Sequence, residues 1–200
     1  MMKKDNKSHG VQLLLRCIVR DPDGKIITDT GRKPAKSFVI QFLEFLYYMF
    51  KYDANETATA TDGTEDGFYY QIAEAYRDLR VDAGVSVATY GVVVGTGDTA
   101  ETNADFALET QIAEGAGAGQ LVHGSTTVGD PAVVGANVDL EVRRAFTNAS
   151  GNTITVKEAG IYTMAIETYF HCIVRDVLAA EIDVPDKCSL SVIYTLRTTV

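Results

Sequence analysis

A chain of 200 residues, 46% hydrophobic and 22% charged, is long enough for one domain with an ordinary core and too apolar to be disordered. Its formal net charge of −9 would repel phosphate backbones, so no general nucleic-acid surface is expected, and Arg143-Arg144 is too short to supply a local one. Cys17, Cys172 and Cys188 are an odd-numbered set, unlike the cysteines of a disulfide-stapled secreted scaffold, and read as reduced, partly buried thiols.

Residues 1–9 are polar and read as a flexible N-terminus. They carry positive charge, but the apolar run after them is broken by Arg16 and leads to no small-residue cleavage site. A secretory signal is therefore not expected, and synthesis and folding in the cytoplasm is the simplest expectation. Val11 to Arg20 reads as a strand buried on both faces. Asp21-Pro22-Asp23-Gly24 is a turn, because proline presets φ and glycine tolerates positive φ. Lys25 to Asp29 returns as a second strand, closing a first hairpin.

Ser37 is a plausible N-cap for a helix over about 37–51. Its apolar residues Phe38, Val39, Phe42, Leu43, Phe45, Leu46, Met49 and Phe50 recur at helical spacing, and Ile40, Tyr47 and Tyr48 make it apolar nearly all round. Such a helix must be covered, either by simple burial within the chain or by a sheet on one side and a neighbouring subunit on the other. Phe38, Phe42, Phe45, Leu46, Met49 and Phe50 are thus the candidate assembly surface. The run is interrupted by Gln41 and Glu44 and is too short to span a bilayer, so no membrane partner is expected. Residues 53–66, acidic and without periodicity, read as an exposed loop; the carboxylate spacing of a calcium loop is missing. Residues 68–79 carry both helical and strand character.

Tyr90 to Gly97 reads as a buried strand that ends in glycines. Gly95, Gly97 and Ala100 match the outline of a dinucleotide fingerprint, but the acidic residues that follow would oppose a pyrophosphate. A tight glycine turn is the preferred reading. Short strands are expected over Leu121–Gly124, Thr126–Gly129 and Val133–Val142. In Val138 to Tyr162, period-2 alternation, interrupted on its apolar face by Arg144, leads into Asn148-Ala149-Ser150-Gly151-Asn152 and resumes at Thr153 to Val156. This predicts a hairpin with a five-residue loop. Tyr162–Ile173 and Ser189–Thr198 read as the last strands. Cys17 to Asp21 is echoed by Cys172 to Asp176, which reads as coincidence between two apolar strands and not as duplication.

Little in the chain points to chemistry. His171 and Cys172 are adjacent, so in a strand they face opposite ways and make a poor catalytic pair. There is no zinc spacing, no nucleophile elbow and no P-loop lysine. Neither an enzyme nor a cofactor is expected. A rival class is a carbohydrate- or host-surface-binding module in which Tyr69, Tyr70, Tyr76 and loop carboxylates grip a glycan.

Several segments together resemble a family. They are the K-S-F-V start of the helix (Lys36–Val39), G-V-V-V-G-T-G-D-T-A (Gly91–Ala100), D-F-A-L-E (Asp105–Glu109) and Gln120–Gly124. The F-T-N-x-S-G-x-x-I-T-V-x-E-x-G-I-Y stretch (Phe146–Tyr162), R-D-V-L (Arg175–Leu178) and V-x-Y-T-L (Val192–Leu196) complete the set. The chain resembles poorly characterised structural proteins of tailed bacteriophages. The resemblance implies an antiparallel, jelly-roll-like β-sandwich over residues 10–200 with one long apolar helix. It further implies self-association in a virion, as capsid decoration or a tail or neck component, with copies of itself and other virion proteins as partners.

Overall fold

A computed structural model describes residues 10–35, 38–51, 57–67, 79–166 and 169–199. Among the described residues the fold is mainly β and antiparallel, with one helix. A seven-stranded sheet is built from β1 (Gly10–Arg20), β2 (Ile26–Asp29), β3 (Lys33–Pro34), β7 (Val122–Val128), β8 (Ala132–Val134), β9 (Asn137–Thr147) and β12 (Ser189–Thr199). Its order is β2-β1-β12-β9-β7, with β3 also on β1 and β8 on β9. A three-stranded sheet has β10 (Ile154–Ile166) between β11 (Tyr169–Val184) and β6 (Gly91–Gly95). The helix, α1, spans Ile40–Lys51. Within the acidic segment read as an exposed loop, Thr57–Thr59 (β4) pairs with Glu65–Gly67 (β5) as a small hairpin, where both Thr57 and Thr59 hydroxyls donate to Glu65.

Strand periodicity puts alternate residues on one face, and register then assembles them into rows. Val19, Leu190, Phe146 and His123 form one row across the large sheet, and Leu15, Tyr194, Val142 and Val128 another. From the small sheet, Val92 pairs with Ile161 and Ile161 with Val174. Residues of both sets belong to one apolar cluster, so the two sheets share a core. The opposite face of the small sheet, with Val93, Tyr162 and Cys172, packs against Val39, Ala83, Tyr90 and Leu108 in a second cluster. No disulfide joins Cys17, Cys172 and Cys188, which are all buried; burial pushes the Cys17 thiol up to about 12.

The first hairpin forms as expected, β1 against β2. The central one does not. β9 joins the large sheet and β10 the small one, so the loop after Thr147 carries the chain from one layer to the other. Turn formers dictate that the chain bends, not which strand the next segment meets. What sets the crossing is buried Asn148, whose side-chain amide donates to Asn152 O and Val184 O, both at 2.7 Å. Its backbone is tied to the neighbouring crossover, accepting from Lys187 N and donating to Cys188 O. The second correction concerns Tyr162–Ile173, which is two strands: Ile166 pairs with Tyr169, and the chain reverses between them. The echoed segments lie in different sheets and do not pair with each other.

Arg144 does not interrupt the apolar face, because its cation is used inside. It shares a row with Cys17, Val192 and Thr126 and is 2% exposed. Nε donates to Gly124 O, Nη1 to Tyr90 O and Val92 O, and Nη2 to Gly84 O and Val87 O. Those bonds use the five donors of a guanidinium. They tie the segment that leads into β6 to the large sheet. Burial pulls its pKa down to about 10, still far above neutrality.

His123 lies beside it, with its ring edge-on to Phe146 at 5.0 Å. Burial first, and then the Arg144 charge, lower its pKa to about 4. The unfolded histidine, near 6.5, therefore binds more protons than the folded one between those values, and stability falls as pH drops through that window. Replacing His123 with phenylalanine should flatten the urea-midpoint profile between pH 6.5 and 4. The slope removed is up to about 1.4 kcal/mol per pH unit, and an unchanged slope would show that His123 is not its source.

Candidate assembly surface

The helix is anchored where it starts. Phe38 bridges to Val174 of β11, Val39 N donates to Ile173 O, and Ile40 N donates to Asn103 O at 2.9 Å. The proposed N-cap, Ser37, lies outside the described residues. Of the candidate residues, Phe45 is 1% exposed and belongs to the core of the single chain, its ring edge-on to His171 at 5.5 Å. It has no surface left to offer a neighbour. Phe38 and Phe42 stack with ring centroids 4.0 Å apart and pack against the same core. Leu46 is half-buried, and the side chains of Met49 and Phe50 lie outside the described residues. Gln41 is buried on this inward side as well.

The outward side is also apolar. Ile40, Leu43 and Tyr47 are 49%, 63% and 54% exposed. Their 3–4 spacing puts them on one stripe. Glu44 flanks that stripe, half-buried, and its pKa is raised, by burial first and then by the nearby Glu65 carboxylate. The stripe is therefore greasy in its middle and negative at its side. The sequence signals an all-round apolar helix; only the fold shows which arc the sheet covers, and it is the phenylalanine arc.

A second apolar area lies where the large sheet outruns its cover. Val11, Thr198, Val138 and Val133 are in register across four strands. Val133 is 80% exposed, and Val11 and Val138 are exposed with it.

Among the described residues, charged side chains converge around Arg175, in a place that spacing did not reveal. Arg175 Nε donates to Glu158 at 3.0 Å, Nη1 to Asp105 at 2.7 Å and Nη2 to Thr99 O at 3.0 Å. The Glu158 carboxylate also accepts from the backbone N–H groups of Gly97, Glu109 and Thr110. Burial acts to raise the Asp105 pKa, but the Thr102 amide and Arg175 hold it below the usual carboxylate range. A carboxylate that accepts four such bonds in all holds these loops together. It also explains the glycines: a Cβ at Gly95 would lie 2.5 Å, and one at Gly97 2.6 Å, from Glu158 Oε1. Asp176 points to the other face of the sheet from Arg175, towards Tyr194, so the two do not pair as adjacent residues.

Among the described residues no three metal-ligating side chains gather, and no helix is long and apolar enough to cross a membrane. Tyr69, Tyr70 and Tyr76, on which glycan binding would rest, lie outside the described residues. Compared with protein-family models, curated proteins and solved structures, the chain matches none.

Proposed function

We propose that the chain is a virion structural protein of a tailed bacteriophage, a jelly-roll-like β-sandwich that assembles with copies of itself and other virion proteins. Capsid decoration and a tail or neck position are the two settings that fit. The sandwich reading is supported by the core common to both sheets and by the chain's passages between them at 148–153 and 185–188. Support for assembly comes from one observation above all: α1 is packed on its phenylalanine side and leaves Ile40, Leu43 and Tyr47 bare on the other. Apolar residues aligned on one exposed face mark an interaction site more often than a free surface does. The row ending in Val133 adds a second such area.

Because Leu43 and Tyr47 are 63% and 54% exposed, Leu43→Asp and Tyr47→Asp should shift unfolding by only about 1 kcal/mol, the scale of a helix-propensity loss. Both should reduce the mass in solution to 21.7 kDa, the mass of one chain, by light scattering. A variant that folds and keeps the wild-type assembled mass would remove α1 from the interface.

A further inference from the structure

The outward face of the seven-stranded sheet has a charge opposite to that of the chain. Register places Arg16, Arg143, Arg197, Asp139 and Glu141 on this side, with Arg20 two residues beyond Ile18. Arg16 is paired to Asp29, Arg197 to Asp139, and Arg32 reaches over to Asp139 and Glu141. That makes five arginines against three carboxylates on a protein of net charge −9. Arg20 and Arg143 have no salt-bridge partner among the described residues; Arg20 donates to Gly24 O and Arg143 to the Thr127 hydroxyl. Both line a depression of about 370 Å³ whose apolar lining includes Ile18, Ile193 and Ala145.

This basic, apolar-floored dish complements the stripe on α1. The stripe offers Ile40, Leu43 and Tyr47 with Glu44 and Glu65 beside them. The two patches share no residue, and they sit on different sheets: α1 against β11 of the small one, the dish on the face of the large one turned away from the core. Resting on the assembly reading above, we propose that copies join head to tail, the α1 stripe of one seated in the Arg20–Arg143 dish of the next. Opposite potentials favour this register and disfavour stripe against stripe, where Glu44 and Glu65 would meet their own copies. An interface between two different patches is heterologous, so it propagates to a closed ring or an open filament and does not stop at a two-fold dimer.

Mixing two blocked variants tests the geometry. Leu43→Asp spoils the stripe and keeps the dish; Arg143→Glu spoils the dish and keeps the stripe. Each alone should run as a single chain of 21.7 kDa, and an equimolar mixture should give a species of twice that mass and nothing larger. Arg20→Glu serves in place of Arg143→Glu if the latter fails to fold, as judged by thermal melting. If folded dish variants assemble like wild type while Leu43→Asp does not, the interface is stripe to stripe, and head-to-tail joining is wrong although assembly stands. Should the mixture stay at 21.7 kDa, the dish and the stripe do not meet. Wild-type protein that is itself a single chain would instead overturn the assembly reading.

Discussion

Arg144→Leu should unfold at a temperature lower by on the order of 10 °C, the shift that about 3–5 kcal/mol produces in a chain of this length. Replacing a buried ion with an apolar residue is often neutral when its partner is replaced too. Here the partners are the main-chain carbonyls of Gly84, Val87, Tyr90, Val92 and Gly124, which no side-chain substitution removes. Each buried acceptor left without a donor costs about 1–3 kcal/mol, so the penalty from several of them outweighs the relief of desolvating one guanidinium. Arg144→Lys should recover only part of the loss, because three donors at a point cannot reach five carbonyls spread around a planar fork. Urea midpoints of the two variants check this. A leucine variant as stable as wild type would mean that the 84–92 segment is held by something else.

Glu158→Ala should cost about 3–5 kcal/mol, and its damage should be local in a predictable place. It leaves Arg175, whose side chain is 4% exposed, with Asp105 and Glu109 for partners, and it strips the acceptor from three backbone N–H groups. Amide hydrogen exchange should therefore accelerate at Gly97, Glu109 and Thr110 before it does so in β1 or β12. Glu158→Gln keeps the shape but turns one acceptor into a donor facing donors, so it should be intermediate. Uniform acceleration across the molecule would show that the cluster is not a local clip. The same network weakens in acid. Asp105 and Glu109 are both held below their usual pKa, so what they contribute is present above the unfolded carboxylate range and is lost as pH falls through their folded values.

Local patterns were legible where one face is buried and the turn is short. Val11 to Arg20 is an apolar run with few breaks, the chain turns at Pro22 and Gly24, the returning strand pairs as expected, and the apolar run after Phe38 is the helix. Partner choice was not legible. Thr147 to Ile154 has the composition of a hairpin loop, yet it joins two sheets, because Asn148 bonds to Val184 and Cys188, residues remote in sequence. Arg144 looked like a break in the pattern for a related reason: its acceptors are backbone atoms of the 84–92 segment and of β7, which leave no mark in side-chain spacing. Glycines 95 and 97 carried a signal, a demand for space, and that space is taken by Glu158 on the adjacent strand together with Thr110 O and the Glu109 side chain. The helix was recognised as over-apolar, while the split between a packed phenylalanine arc and a bare Ile40–Leu43–Tyr47 arc needed the sheet edge beside it.

The most direct measurement is the molar mass of the intact chain by light scattering over a concentration series at moderate salt. Bare apolar residues on α1 predict a discrete multiple of 21.7 kDa, or growth into rings or filaments, with the assembled fraction rising with concentration. A single chain of 21.7 kDa at every concentration contradicts self-assembly through that face.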